Sequence, residues 1–416
     1  MSGDRAADLV IHGKSASGAS RRGVSKKVGD AHHHDPCKSA SEGTERSRVT
    51  DSQVSMAPDY GRVIRRYQLQ ACARELLPRE GVARCMRGVV PRAGGPIQVD
   101  VLYAPLKGAA HYGGLQMCRS VWHCPVCSAK ISERRREELS TALRTWSEEW
   151  SGTDRRLLLV TFTLQHDSGD DLRVVLTALR RARRLLVSGR GAEYLAGEFG
   201  VVGMVRALEV THGLNGWHPH LHVLMFHDRQ VPIIPFELAM KERWRQCIAA
   251  AGRYASWQHG CDVRFSDRDI AEYVAKWGKE PKWTHAHELA KSVTKAARNG
   301  GRTPMQLLSD YCDGDQAAGR LWLQYAVNFK GERQLCWSRH LRELLGLGID
   351  KTDEEIAEEK EEIAVILASL SPGAWRVVVA NDARGELLEI AASNDAIALQ
   401  RFLDDLGVGK LRHRSI

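Results

Sequence analysis

The chain is predicted to adopt an α+β fold built on a mainly antiparallel sheet flanked by helices. Strand-length apolar runs and amphipathic helical stretches are mixed along the sequence. Two of the strand runs are joined by the tight turn "HGLNG", which makes them antiparallel neighbours. A hydrophobic content of 43% in 416 residues is enough to build a core.

The elements follow in order. Residues 1–55 are rich in Ser, Gly, Lys, Arg and Asp and nearly free of aromatics, so they read as a disordered tail, with His32, His33 and His34 as a solvated run. An irregular segment at 60–130 carries five cysteines. A helix is expected over 130–150, from Ile131, Leu139, Leu143, Trp146 and Trp150. "RRLLLVTFTLQH" contains a buried central strand at 157–164. Residues 170–190 form an amphipathic helix whose polar face is cationic, with Arg180, Arg181 and Arg184 set to meet phosphates. Strands follow at 201–211 and 218–226, then a helix at 235–251, a short strand in "CDVRFS" and a helix from Asp267. Residues 282–350 read as mostly helical, and 351–416 as a small α/β module with a strand hairpin and a helix.

The balance of 60 Lys and Arg against 51 Asp and Glu gives a net charge of +9, which favours an acidic partner, nucleic acid first. No apolar run approaches the roughly 18 residues of a membrane span, and the N-terminus has no signal-peptide core. The protein therefore reads as cytosolic, with reduced cysteines available as metal ligands.

"GWHPHLHVLMFH" places three histidines in alternation. On a strand His218, His220 and His222 share one face while Leu221 and Val223 face the core. Imidazoles two residues apart on a strand make a metal chelate. Glu209, on the preceding strand, is the expected third ligand; His212 is its rival, and a salt bridge to arginine is the alternative role for the carboxylate. Downstream, "SDRDIAEYVAKWGKE" reads as a capped helix with Tyr273 and Lys276 on one side.

An apolar strand "VTFTLQH", then "GWHPHLHVL", then Tyr-x-x-Lys on a helix resembles the three motifs of HUH endonucleases, and more narrowly the rolling-circle replication initiators of bacterial plasmids. The resemblance covers about residues 80–350. It implies a ferredoxin- or RRM-like HUH domain over 131–350, with His220, His222 and Glu209 holding Mg2+ or Mn2+, Tyr273 as nucleophile and Lys276 as its companion. Phe162, Thr163 and Leu164 match the first motif. Some plasmid initiators carry the tyrosine four residues later, where this chain has Trp277. The resemblance leaves open the acid that ends the reaction: Glu272, Glu280 or another residue. The implied reaction is nicking and joining of single-stranded or supercoiled origin DNA through a 5′-phosphotyrosine, leaving a 3′-hydroxyl for a host polymerase. No Walker-type motif occurs, so a host helicase is a further expected partner. Trp217, Trp277 and Trp283 are candidates for stacking on unpaired bases, Trp217 first.

"QMCRSVWHCPVCSAKI" holds Cys118, Cys124 and Cys127, and CPVC has zinc-ligand spacing. Cys85 is the expected fourth ligand of a structural Zn2+, with Cys72 and His123 as rivals; Cys247, Cys261, Cys312 and Cys336 read as packed. Three other readings remain: a histidine-triad nucleotide hydrolase, a non-enzymatic zinc DNA-binding protein and, within the HUH class, a transposase or mobilisation relaxase. The first leaves the tyrosine helix and the cysteines without a role, and the second leaves the chelating strand without one.

Overall fold

The computed structural model describes residues 61–91, 94–148, 154–264, 301–359 and 363–408. The expected tail at 1–55 and the segment carrying Tyr273, Lys276, Glu272, Trp277, Glu280 and Trp283 lie outside the described residues.

The α+β expectation holds. Strands β1 (Val99–Ala104) and β2 (Ala109–Gly113) form a hairpin after helix α1 (Arg62–Leu76). Helix α2 (Pro125–Glu148) leads to β3 (Arg156–Phe162), α3 (Leu172–Leu186), α4 (Arg190–Phe199), β4 (Val201–Gly213), β5 (Gly216–His227), α5 (Ile233–Ala250) and β6 (Cys261–Arg264). Beyond residue 300 come α6 (Pro304–Cys312), α7 (Gln316–Phe329), β7 (Leu335–Trp337), α8 (Leu341–Leu344) and α9 (Asp353–Glu358). The chain then forms β8 (Val365–Leu370), α10 (Pro372–Ala380), α11 (Arg384–Ala392) and α12 (Ala396–Asp405).

The main sheet has the order β6-β3-β5-β4-β7, with every described pair antiparallel. One face is mostly apolar, with Arg206 opposite Val223 and His227 against Phe236 as its polar members. Leu158, Val160 and Phe162 of β3 and Leu221, Val223 and Met225 of β5 pack with Val175, Leu176 and Leu179 of α3 and Phe236, Met240 and Trp244 of α5. The Phe162 and Trp244 rings lie 4.8 Å apart. The opposite face is divided. Leu159, Val205, Leu224 and Phe226 are covered by Leu139, Ala142 and Trp146 of α2, while the other end carries the histidines. β7, in a stretch read as helical, forms an edge of this sheet by pairing Leu335 with Ala207.

The β4–β5 ladder runs without a break from Gly203 to Gly213 and closes on Gly213 opposite Gly216. Gly216 has φ +80°, and a Cβ there would stand 3.0 Å from the Asp167 carbonyl and the Ser168 Cα. Both the left-handed backbone and the close approach demand glycine. The turn thereby seats the loop that follows β3.

The smaller sheet has the order β2-β1-β8, so the C-terminal segment and the Cys-rich segment share one sheet. Glu389 of α11 caps α1 from a distance: its Oε1 accepts from the backbone N–H groups of Gly61 at 2.8 Å, Val63 at 3.1 Å and Ile64 at 3.3 Å. The strand hairpin expected in "AWRVVVANDARGELLEIAASN" is instead a pair of helices, α10 and α11. Ser371 Oγ accepts from Ala374 N with Pro372 in the first turn, and Trp375 and Val378 bury one helical face. A strong N-cap thus overrides the β-branched run.

Candidate functional site

The strand period sets the site. His218, His220 and His222 are partly exposed on one side of β5, whereas Trp217, Leu221 and Val223 are buried on the other. In the ladder Glu209 stands directly opposite His220, Thr211 opposite His218 and Ala207 opposite His222. Glu209 Oε2 lies 3.4 Å from His222 Nε2. The Thr161 hydroxyl is 3.0 Å from His222 Nδ1, which leaves Nε2 as the nitrogen facing the carboxylate. The His220 and His222 rings are nearly parallel, 8° apart with centroids 5.9 Å apart. Glu209 is 45% exposed, and its partner is histidine rather than arginine.

Burial, reinforced by the imidazoles of His218, His222 and His166, pushes the His220 pKa down to about 3. Burial together with His166 pushes His218 down to about 4. Both rings are therefore neutral near pH 7, the state in which imidazole binds a metal. Imidazole nitrogen and carboxylate oxygen are donor types that suit a hard or borderline divalent cation, but no three donor atoms of this face lie within 4.8 Å of one another.

His166, absent from the sequence-derived candidates, joins this face: its Nε2 is 2.6 Å from His218 Nδ1. The one signal was its place at the end of "VTFTLQH", directly after the apolar run. His212, the rival ligand, instead stacks edge-on against Trp217 at 4.9 Å and bridges through its backbone to Arg302. Tyr273 and Lys276 lie outside the described residues. The described chain on either side of 265–300 borders the histidine face. Asp262 of β6 is opposite Thr161, and Gly301 approaches Thr211, the register partner of His218.

Two expected DNA contacts need correction. Trp217 is only 3% exposed and its Nε1 donates to Gln324 Oε1 at 3.0 Å, so its ring has no free face for a base. Arg180 is ion-paired with Glu332 at 2.7 Å and donates to the Asn328 carbonyl, which fastens α3 to the end of α7 instead of offering a charge to phosphate. Arg181 and Arg184 are exposed.

A second centre lies at the start of α2. The four thiols of Cys85, Cys118, Cys124 and Cys127 are all within 4.8 Å of one another, and among the described residues no other group of potential ligands converges so closely. Cys85 to Cys127 is 3.6 Å, Cys118 to Cys127 is 3.7 Å and Cys124 to Cys85 is 3.7 Å. A tetrahedral zinc–thiolate site, with bonds of about 2.3 Å, requires sulfur separations of about 3.8 Å. The Cys118 backbone N–H donates to Cys85 Sγ and the Gln70 amide to Cys124 Sγ, the donors that steady thiolates. Burial opposes ionisation of Cys124, but the three neighbouring thiols outweigh it and hold its pKa well below the usual range.

The rival ligands are occupied elsewhere. His123 Nε2 meets the Ala326 carbonyl at 2.7 Å, and Cys72 forms a disulfide with Cys312. That bridge corrects the expectation that all cysteines are reduced and that Cys312 is merely packed.

The class defined by fold and site is an α+β protein with a four-thiol cluster that could hold a metal ion and a separate imidazole–carboxylate face. The family model described as replication protein, Rep_1, matches residues 112–371, more than half of the chain, and the chain belongs to that family. It is 32% identical over 328 residues to "Protein rep" of Streptomyces lividans, covering 62% of this chain and 69% of that protein. It is also 34% identical over 145 residues to a "Neomycin resistance protein" of Streptomyces cyanogenus, covering 28% of this chain and 32% of that protein. No solved structure matches. The resemblance to rolling-circle replication initiators drawn from the motifs is therefore upheld. No helix among the described residues is long and apolar enough to cross a membrane.

Proposed function

We propose that this replication initiator is a metal-dependent, strand-specific DNA nickase and ligase of the HUH class, acting in the cytoplasm. The observation that carries the reading is the pairing of Glu209 with His220 across the β4–β5 ladder, with His222 3.4 Å from the same carboxylate. These three residues would hold Mg2+ or Mn2+. When bound, the cation would polarise the scissile phosphodiester and offset its charge.

The chain's own groups do the rest. Tyr273 supplies the nucleophile: its phenolic oxygen bonds to phosphorus, the phosphorus–O3′ bond breaks, the phenol proton leaves and the O3′ takes a proton. The products are a 5′-phosphotyrosine and a 3′-hydroxyl that primes a host polymerase. Rejoining reverses the exchange and needs no ATP, because the phosphodiester energy is kept in the tyrosyl bond. Lys276, three residues on, would steady the developing charge on the phenolate. Tyr273 is nine residues beyond Arg264, a reach of up to about 30 Å if extended, and β6 begins beside Thr161 and His222. Arg181 and Arg184 would hold the backbone of single-stranded or supercoiled origin DNA, with a host helicase opening the duplex. Cys85, Cys118, Cys124 and Cys127 would hold a structural Zn2+ that joins the Cys-rich segment to the start of α2.

The test is incubation of the full chain with Mn2+ and a single-stranded origin-like oligonucleotide, read on a denaturing gel. Metal-dependent cleavage with a free 3′-hydroxyl supports the reading. No cleavage with any divalent metal, by protein that still binds the DNA, favours the non-enzymatic zinc protein.

A further inference from the structure

With Trp217 buried, unpaired bases need another aromatic surface. Among the described residues three aromatic side chains are exposed: Tyr194 at 66%, Tyr254 at 54% and Trp257 at 39%. Tyr254 and Trp257 share the loop 251–260 between α5 and β6.

This loop is stitched to the strand that leads into the histidine face. Gln165 N donates to the Tyr254 carbonyl at 2.9 Å and Thr163 N to the Gly260 carbonyl at 2.9 Å, while the Thr163 hydroxyl donates to the His259 carbonyl at 2.9 Å. The residue after Gln165 is His166, whose Nε2 lies 2.6 Å from His218 Nδ1. The two rings thus stand on an immediate neighbour of the histidine face. The loop also has a fixed shape. Ala255 is buried, Gly260 N donates to the Ser256 carbonyl at 2.8 Å, and Ser256 Oγ accepts from Gln258 N and His259 N, both at 3.3 Å. A Cβ on Gly260 would stand 2.5 Å from the Ser256 carbonyl. Arg253 holds the start of the loop to Asp170 through two bonds of 2.7 and 3.0 Å. Exposed rings on a fixed backbone can cover a flat ligand at little ordering cost.

Cations surround the rings. The Arg245 guanidinium stands over the Trp257 ring, 5.5 Å from its centroid. Gly252 and Arg253 line a depression of about 330 Å³ together with Arg173, Thr177 and Arg181 of α3. Arg173 and Arg181 are exposed and have no acidic partner among the described residues. Aromatic faces beside unpaired cations match a single strand, which offers both bare bases and phosphates; a duplex, with its bases stacked inside, could use only the cations.

We propose that the loop between α5 and β6 is a base-stacking platform: Tyr254 and Trp257 stack on unpaired bases of single-stranded DNA next to the histidine face, while Arg173 and Arg181 hold its backbone. The choice of substrate rests on the nickase reading above.

Fluorescence anisotropy of the full chain, without added divalent metal, tests it on a labelled single-stranded oligonucleotide and on a duplex of the same sequence. Tyr254→Ala/Trp257→Ala should weaken single-strand binding by about 5-fold or more, the effect of losing a stacked base, with duplex affinity unchanged. Tyr254→Phe/Trp257→Phe, which keeps both rings, should retain most of the single-strand affinity. Wild-type single-strand binding by the alanine variant, or an equal loss on both DNA forms, overturns the inference. Because binding is read without cleavage, that result leaves the nickase reading standing, and a wild-type chain that stacks but never nicks with any divalent metal defeats the nickase reading alone. Should the alanine variant misfold, photocrosslinking of the wild-type chain to an iodouracil-substituted single strand decides: adducts on Tyr254 or Trp257 are expected, and adducts on neither overturn the inference.

Discussion

Glu209 Oε2 lies 3.4 Å from His222 Nε2, between two strands whose ladder sets Glu209 opposite His220. This carboxylate pairs directly with the histidine face. Replacing it with alanine leaves the imidazoles in place but removes the negative charge. Glu209→Ala should therefore lose at least 10-fold in Mn2+ affinity, on the scale of losses at metal sites, with zinc content unchanged. Equal affinity in calorimetry would remove Glu209 from the centre.

The neutral histidines predict an acid-sensitive fold in metal-free protein. His220 and His218 are pushed down to about 3 and about 4, whereas unfolded histidine titrates near 6.5. Between those values the unfolded chain binds more protons, so stability is retained above about pH 6.5 and falls as pH is lowered toward 4. Urea midpoints at pH 7.5, 6 and 5 should decline in that order, and less steeply in His220→Asn. An unchanged slope in the variant would assign the acid sensitivity elsewhere.

Metal at the four thiols should stabilise the Cys-rich segment. A ligand present at a thousandfold excess over its Kd contributes about 4 kcal/mol, or roughly 10 °C in Tm for a region of this size. Cys124→Ser should lower Tm by that order and abolish bound zinc in atomic-absorption assays. A variant that loses zinc but melts with the wild type would make the centre dispensable for the fold.

Arg181 and Arg184 are exposed on α3, while Arg180 is tied to Glu332. The double variant Arg181→Ala/Arg184→Ala should reduce the salt slope of single-strand binding by roughly 1.4, about 0.7 per phosphate contact. Filter-binding isotherms from 50 to 200 mM salt measure it. The same slope in both proteins would place the DNA on another surface.

Much of the site was legible because strand geometry is simple. A period of two put three histidines on one face, and the Asn215–Gly216 turn brought Glu209 across from them. The same parity also buries Trp217, two residues before Pro219 and four before Leu221 on the core side, so the strand period itself places its ring in the core and away from DNA. Arg180 follows Leu176 by one turn and thus lies at the margin of the apolar stripe of α3, where α7 meets it. His166 was hidden because a loop has no period, and its partner is 52 residues away. The Cys72–Cys312 bridge spans 240 residues and has no local signal, and the strand β8 finds its partner in β1, at the other end of the chain.

The most direct measurement is the identity of the residue that becomes joined to DNA. Protein incubated with Mn2+ and a 5′-labelled-downstream origin oligonucleotide is digested, and the nucleotide-bearing peptide is sequenced by mass spectrometry. The expected result is a 5′-phosphate on Tyr273, lost in Tyr273→Phe together with all nicking. An adduct on another side chain, or full nicking by Tyr273→Phe, would contradict the proposed chemistry.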